Sequence, residues 1–103
     1  APVSDKNVMS LVLAENDKLY WWEGVEGKVE ETNYSRNGLR KLLIERNKNN
    51  QKLMVLIKPS DKSKYENLVD VLDEITITST SRYTIVDFTG EDQNRLNELT
   101  QIN

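Results

Sequence analysis

Two apolar runs and an amphipathic pattern between them predict the architecture of the second half of the chain. The first run, Leu53–Ile57, stops at a polar turn that starts with Lys58-Pro59, and the second run is Tyr83–Phe88. The stretch between them carries one apolar stripe at helical spacing, made of Tyr65, Leu68, Val69, Leu72 and Ile75. Strand, helix and strand in this order are typical of a βαβ crossover, which needs about 30 residues or more and places its strands parallel.

The first part of the chain has the pattern of a β-hairpin. Val8–Ala14 is short and apolar, a polar turn follows at Glu15–Lys18, and Leu19–Trp22 resumes with residues of high strand propensity. The turn tip, Asn16-Asp17, suits a left-handed backbone, which these residue types tolerate. Residues 25–34 are polar and contain glycine, so we predict a loop or a short extended segment there.

The first predicted helix follows this segment. Ser35 can act as its N-cap, because the hydroxyl can accept a hydrogen bond from a free backbone N–H of the first turn. Apolar residues then recur at helical spacing at Leu39, Leu42 and Leu43. Asn49-Asn50 is predicted to end the helix, because asparagine tolerates the left-handed conformation that follows many helices.

The second predicted helix has a capping-box signal. Ser63 and Glu66 are spaced so that each side chain can satisfy a free backbone donor at the start of the helix. A further short helix is predicted to start at Gly90–Asp92. It has Leu96, Leu99 and Ile102 along one side.

These elements predict an α+β fold with the order ββαβαβ and a short C-terminal helix. Right-handed crossovers place both main helices on one face of a small mixed β-sheet, which makes a two-layer sandwich. The other face of the sheet is expected to be open to solvent or to a partner.

Composition limits the chemistry of the chain. Its 103 residues suffice for one domain with one core, and they contain no histidine and no cysteine. The commonest general base, thiolate nucleophiles, disulfides and cysteine-bound zinc are therefore excluded. We predict that the chain is not an enzyme and uses no cofactor or metal. A carboxylate enzyme using Asp61 or Asp70 is the alternative from another class, and it would need an acidic pair in one deep pocket.

Charge and hydropathy limit the partners. The formal net charge of −3 is spread along the chain without a basic block, which argues against nucleic acid. No stretch reaches the roughly 18–20 consecutive apolar residues of a membrane span. The start of the chain, Ala1–Asn7, lacks an initiator methionine and the apolar region of a signal peptide, so we expect a fragment of a longer protein.

Aromatic residues on the second predicted strand are the first candidate for a binding surface. Alternation along a strand directs Tyr20 and Trp22 to one face of the sheet and Trp21 to the other. Cross-strand packing is the ordinary role of such residues, whereas a peptide or glycan contact would use an exposed aromatic surface. We name Tyr20 and Trp22 as candidate partner-binding residues.

The turn after the first apolar run is the second candidate. Lys58–Lys62 lies at the carboxyl end of a strand and just before a helix, where open α/β sheets often bind ligands. It lacks the glycines of a phosphate cradle, which argues against a nucleotide, and Pro59 is more simply a strand terminator. Lys58, Asp61 and Tyr65 complete the candidate partner-binding residues.

Sheet edges are the third candidate. An edge strand has unpaired backbone groups that can accept an extended peptide as an added strand. The sequence alone does not identify which edge is free.

Three segments of the sequence resemble the periplasmic domain of the ExbD/TolR family of biopolymer transport proteins. Leu19–Gly24 is similar to the second strand of the family, and Gly38–Leu43 is similar to the helix that follows. The most specific segment joins Val55–Lys62, a strand with a charged turn, to the helix Tyr65–Asp73. The resemblance covers about Val8–Phe88.

Two loops depart from the pattern of the family. Pro59-Ser60 stands where an alanine-type turn is more usual, and Thr76–Ser81 replaces a lysine-glycine connection. The Lys18–Tyr34 region and the residue sequence of Leu56–Lys62 favour the ExbD branch over the TolR branch.

The resemblance implies a single-pass inner-membrane protein whose C-terminal domain is periplasmic. Residues 1–7 would then be a linker from a missing membrane anchor, and residues 8–103 a single periplasmic domain. An ExbB/TolQ-like channel subunit would bind through the missing transmembrane helix. Proton flow in the family depends on an aspartate in that helix, so no aspartate of this chain inherits that role.

The resemblance also implies a function. The chain is expected to be an accessory subunit of a proton-motive-force-driven, ExbB/ExbD/TonB-like complex that powers outer-membrane transport. It would form a homodimer and bind a TonB/TolA-like transducer peptide. The alternative is a TolR-like module that binds peptidoglycan and maintains the cell envelope.

Overall fold

A computed structural model describes residues 7–100, which form one five-stranded sheet with helices on both of its faces. The strands are β1 (Val8–Leu13), β2 (Leu19–Glu23), β3 (Glu30–Thr32), β4 (Met54–Pro59) and β5 (Tyr83–Ile85). The helices are α1 (Lys41–Asn49), which continues a π-helical turn at Arg36–Arg40, α2 (Tyr65–Ile77) and α3 (Gly90–Thr100). Within residues 7–100, none of these helices is both long enough and apolar enough to span a membrane.

The sheet is mixed and has the strand order β3-β2-β1-β4-β5. β2 pairs antiparallel with β1 and with β3, whereas β4 pairs parallel with β1 and with β5. The predicted hairpin and the predicted parallel crossover are both confirmed. The hairpin turn has the left-handed backbone predicted for its tip, with φ of 62° at Asn16 and 60° at Asp17.

The main core lies on the sheet face that α1 and α2 cover, here called the first face. Because successive strand residues point to opposite faces, Met9, Leu11 and Leu13 of β1 all enter this core. Leu43 of α1 and Val71 of α2 are fully buried against them. The α+β fold class, with two helices on one face of a small mixed sheet, is thereby confirmed.

The opposite side of the sheet, here called the second face, differs from the expectation of an open surface. Its buried cluster contains Val12, Trp22 and Val29, and Leu96 and Leu99 of α3 pack against it. The predicted C-terminal helix therefore exists and covers part of this face. Ile102, the third apolar residue predicted for that helix, lies outside the described residues.

The first helix begins as predicted and ends differently. Ser35 accepts a hydrogen bond from Gly38 N–H at 3.2 Å, which confirms the N-cap. α1 ends at Asn49, but Asn50 has an extended backbone with φ of −145°, so the predicted left-handed ending is wrong. The Asn50 side chain instead donates to Asn7 and accepts from Lys52 N–H, which favours the extended path.

The predicted start of the second helix is wrong. α2 begins at Tyr65, and the Ser63 hydroxyl donates to the Ser60 carbonyl instead of capping the helix. The Asn67 side chain accepts from Lys64 N–H at 2.8 Å and donates to Asp17 at 2.9 Å. Asn67 thus satisfies the helix start and ties it to the hairpin turn, contacts that are not visible in local spacing.

The predicted apolar stripe of α2 is displaced around the helix. Tyr65 is 80% exposed and Val69 is 37% exposed, whereas Asn67, Val71 and Ile75 are buried. Burial of Asn67 is possible because both polar groups of its amide have partners. The helix therefore buries the Asn67–Val71–Ile75 line, with Leu68 and Leu72 beside it.

Two other predictions concern residues 25–34 and residues 1–7. Part of the predicted loop at residues 25–34 forms the edge strand β3, which agrees with the short extended alternative. The predicted linker, residues 1–7, lies outside the described residues apart from Asn7 and stays a prediction.

Candidate binding surfaces

Trp22, Lys58, Asp92 and Arg95 form a cluster between the second face and α3, here called the Trp22 cluster. Lys58 Nζ lies 2.8 Å from Asp92 Oδ1, and the two side chains are only 14% and 7% exposed. Lys58 Nζ is 5.5 Å and Arg95 Cζ is 5.2 Å from the centroid of the Trp22 ring. These distances allow two cation–π contacts with one indole.

Arg95 also connects α3 to the β2–β3 turn. Its Nη1 donates to the Val25 carbonyl at 2.9 Å, and its Nη2 donates to the Gly27 carbonyl. A side chain at Gly27 would overlap the backbone of Glu23, so this turn needs glycine to close tightly. α3 is therefore held by charged contacts to β4 and by backbone contacts to the β2–β3 turn.

The start of α3 is a reciprocal cap. Thr89 N–H donates to Asp92 Oδ2 at 2.9 Å, and Asp92 N–H donates to Thr89 Oγ1 at 3.3 Å. Thr89 and Asp92 have the spacing of a capping box, so this signal in the sequence could have placed the helix start at Gly90. Arg95 had no comparable signal, because its partners lie about seventy positions earlier in the chain.

A second surface feature is a groove of about 540 Å³, here called the end groove. It lies where the β1–β2 turn, the β4–α2 turn and the later part of α3 meet. Its lining combines apolar side chains with charges of both signs and includes Lys18, Tyr20, Asp61, Lys62, Phe88 and Leu96. Such a lining suits an extended segment that offers both apolar and charged groups.

The structure distributes the five candidate partner-binding residues over three places. Tyr20 and Asp61 line the end groove, and Trp22 and Lys58 belong to the Trp22 cluster. Tyr65 projects from the first turn of α2 and lines neither feature. Alternation correctly placed Tyr20 and Trp22 on one face, but Trp22 is only 4% exposed because α3 covers it.

The carboxylates form no metal-binding cluster in the described part of the chain. Among residues 7–100, no group of three or more acidic side chains could hold a metal ion. Asp61 lines the end groove, but Asp70 does not. On α2, Glu74 forms a two-point ion pair with Arg40, at 2.7 Å and 3.0 Å.

Acid is expected to destabilise the domain through Glu74 and Asp92. The hydrogen-bonded pair with Arg40 lowers the pKa of Glu74, although burial opposes it. Burial alone would raise the pKa of Asp92, but hydrogen bonds from Lys58 and Thr89 outweigh it and lower the pKa. A depressed pKa in the folded state stabilises the fold above the ordinary pKa. This contribution is lost as the pH falls below about 5 towards the folded-state pKa.

Urea unfolding measured at about pH 7 and at about pH 3 tests this linkage. Glu74→Gln should reduce the loss of unfolding free energy between the two pH values, because the variant has no proton to gain at this position. An unchanged loss in the variant would mean that Glu74 does not contribute to the acid sensitivity.

Comparison with known protein families identifies the family of this chain. A family model described as "Biopolymer transport protein ExbD/TolR" matches residues 1–89, so the match ends immediately before α3. A search among curated proteins found no match. Because the family match covers most of the chain, this protein belongs to the ExbD/TolR family of biopolymer transport proteins.

Proposed function

We propose that this domain is the periplasmic partner-binding part of an accessory subunit in a proton-motive-force-driven complex that powers outer-membrane transport. The family match over residues 1–89 is the observation that carries the proposal. In this proposal the subunit is anchored in the inner membrane beside an ExbB/TolQ-like channel protein. It forms a homodimer, and its periplasmic domain binds a TonB/TolA-like transducer.

The end groove is the proposed contact surface for the transducer. Tyr20 and Phe88 offer apolar area, and Lys62, which is 75% exposed at its side chain, offers a charge at the rim. Asp61 adds an acidic side chain, so a segment with alternating apolar and charged groups can be complemented along its length. Addition of the transducer as a strand to a sheet edge is the alternative mode.

Titration of the isotope-labelled domain with a cognate transducer peptide tests this surface. Amide shifts are expected around Tyr20, Asp61 and Leu96. Shifts confined to β3 or β5 would mean that the peptide binds by strand addition at a sheet edge and not in the end groove. The absence of shifts throughout the spectrum would contradict transducer binding. Two tyrosines provide a matched pair of variants: Tyr20→Ala should weaken binding about tenfold, whereas Tyr65→Ala, outside the groove, should leave it unchanged.

A peptidoglycan-binding role is the second candidate function. It is supported by the amide side chains of Gln93 and Asn97, which lie beside Tyr20 and Phe88 in the end groove. Aromatic and amide groups together suit a glycan, which presents both apolar ring faces and hydroxyls. Sedimentation with purified cell wall separates the candidates, because a transducer-binding domain should remain in the supernatant.

A further inference from the structure

A pocket lies between the second face of the sheet and the first half of α3, here called the second-face pocket. Its volume is about 420 Å³, which is within the usual range for small-molecule sites. Strand pairing places Trp22 beside Ser10 and Ser10 beside Leu56, and all three residues line this pocket. The other members of the Trp22 cluster line it too, so the pocket has a charged wall.

Ser10 contributes a hydroxyl without a protein partner to this pocket. Its position on β1, two residues before Val12, directs its side chain to the second face. Ser10 is only 4% exposed, and its hydroxyl forms no hydrogen bond with another residue in the range 7–100. Buried hydroxyls nearly always have a hydrogen-bond partner, so this exception in the lining of a pocket indicates a site for a polar group of a ligand.

Lys58 supplies further hydrogen-bond donors to the same pocket. An ammonium group has three N–H donors, and the described residues offer Lys58 one acceptor, Asp92 Oδ1 at 2.8 Å. In the pairing of β1 with β4, Ser10 lies beside Leu56, and Lys58 follows two positions later on the same face. Ser10 and Lys58 are therefore diagonal neighbours, and a group with two acceptor atoms, such as a carboxylate, can accept from both.

The buried charges of the lining favour an anion. Lys58 and Arg95 are cations whose side chains are 14% and 21% exposed, and the buried carboxylate among the described lining residues is Asp92. Glu91 also lines the pocket, but it is exposed and therefore solvated. Glu98 lies 3.9 Å from Arg95 and is 56% exposed, so it compensates that cation only weakly. One positive charge is thus in excess where water is largely excluded and charge interactions are strong.

The remaining part of the lining is mainly apolar. Val8 and Leu56 are half-buried on either side of Ser10 in the floor, and Trp22 forms the wall towards β2. An apolar body placed against these side chains would remove apolar surface from water, which favours binding. An inorganic anion would not cover this surface. The lining therefore suits a carboxylate that is attached to an apolar chain.

We propose that the second-face pocket binds a small organic acid, whose carboxylate accepts from Ser10 and Lys58 and whose apolar body lies against Val8 and Leu56. The inference goes beyond the proposed transducer contact, because the described linings of this pocket and of the end groove have no residue in common. Since β1, β4 and α3 all contribute to the lining, a bound acid would also hold α3 against the sheet.

Octanoate is the probe for this site, with octanamide and octylammonium as neutral and cationic compounds of the same chain length. Titration of the isotope-labelled chain is expected to shift the amide resonances of Ser10 and Leu56 and the indole N–H resonance of Trp22. Octanoate should bind about tenfold more tightly than octanamide, because a charged acceptor forms the stronger hydrogen bonds. Octylammonium should bind more weakly than octanamide, because its charge has the same sign as the excess charge of the lining.

Two variants test the proposed donors. Ser10→Ala should weaken octanoate binding about fivefold, as expected for the loss of one hydrogen bond. Ser81→Ala is the matched control, because Ser81 is exposed and lies outside the described lining, and it should leave binding unchanged. The double variant Lys58→Met/Asp92→Leu removes the ammonium without leaving a buried charge unpaired and should weaken binding about tenfold or more. Circular dichroism checks the fold of each variant.

Thermal unfolding gives an independent measurement. A ligand that binds only the folded chain stabilises it, so octanoate should raise the unfolding midpoint of the wild type more than that of Ser10→Ala. Equal binding of octanoate and octylammonium, or the absence of shifts at Ser10, Leu56 and Trp22 at millimolar octanoate, would overturn the proposal. Octanoate binding that Ser10→Ala leaves unchanged would also overturn it, because the hydroxyl would then serve only water. None of these results changes the transducer titration, which reads the end groove.

Discussion

Asp92→Ala is expected to lower the free energy of unfolding by about 3 kcal/mol, because it leaves the mostly buried Lys58 ammonium without its carboxylate. Lys58 and Asp92 are 14% and 7% exposed, so water replaces little of the lost interaction. The variant also removes the acceptor for Thr89 N–H at the start of α3. Urea unfolding followed by circular dichroism measures the effect.

Glu15 offers a matched control for this prediction. It also pairs with a lysine, Lys62, but at 3.7 Å and with side chains that are 58% and 75% exposed. Glu15→Ala should therefore cost less than about 0.5 kcal/mol. A similar small effect for both variants would show that the Lys58–Asp92 pair is solvated in solution. The double variant Lys58→Met/Asp92→Leu should recover much of the loss, since no buried charge remains unpaired.

Gly38→Ala is expected to destabilise the domain by about 2 kcal/mol, opposite in sign to the usual effect of alanine in a helix. A Cβ atom at Gly38 would overlap the side-chain and backbone oxygens of Asn33. Asn33 cannot move away freely, because its backbone carbonyl accepts from Leu39 N–H at 2.8 Å and its side chain accepts from Ser35 N–H at 2.9 Å. The overlap therefore disrupts the turn that starts the first helix.

Gly90→Ala is the control with the opposite expectation. No atom lies within 4 Å of a Cβ built at Gly90, and its φ is outside the left-handed region. Alanine should therefore stabilise the domain by about 0.5 kcal/mol by restricting the unfolded chain. Thermal and urea unfolding of both variants measure the two signs. Equal signs would mean that the Asn33 contact is not rigid enough to exclude a methyl group.

Residue type and spacing predicted those parts of the fold that depend on interactions between residues close in sequence. The hairpin tip at Asn16, the Ser35 cap and the parallel strands around α2 follow from residue type and spacing. The rotation of α2 did not, because Asn67 is buried through a hydrogen bond to Asp17, fifty positions earlier. A polar residue with a distant partner has no signature in the local pattern.

The candidate surfaces show the same division. Alternation alone placed Tyr20 and Trp22 on one face of the sheet. It could not show that α3 would cover Trp22, since the decisive contacts come from Arg95 and from Lys58 paired with Asp92. Those contacts join residues from three parts of the chain. Because Glu30 and Glu31 carry no apolar signal, β3 could be predicted only as one of two alternatives, a loop or a short extended segment.

The central position of β1 has a mechanical consequence. β1 lies between β2 and β4, with core side chains on the first face and Val12 buried on the second. Its hydrogen bonds run across the strand, so a pull along the strand at Val8 would load the bonds to both neighbours together, in shear. A pull at right angles to the edge strand β5 would instead load its bonds to β4 one after another. The domain is therefore expected to resist force applied along β1 far better than force that peels β5 from the sheet edge.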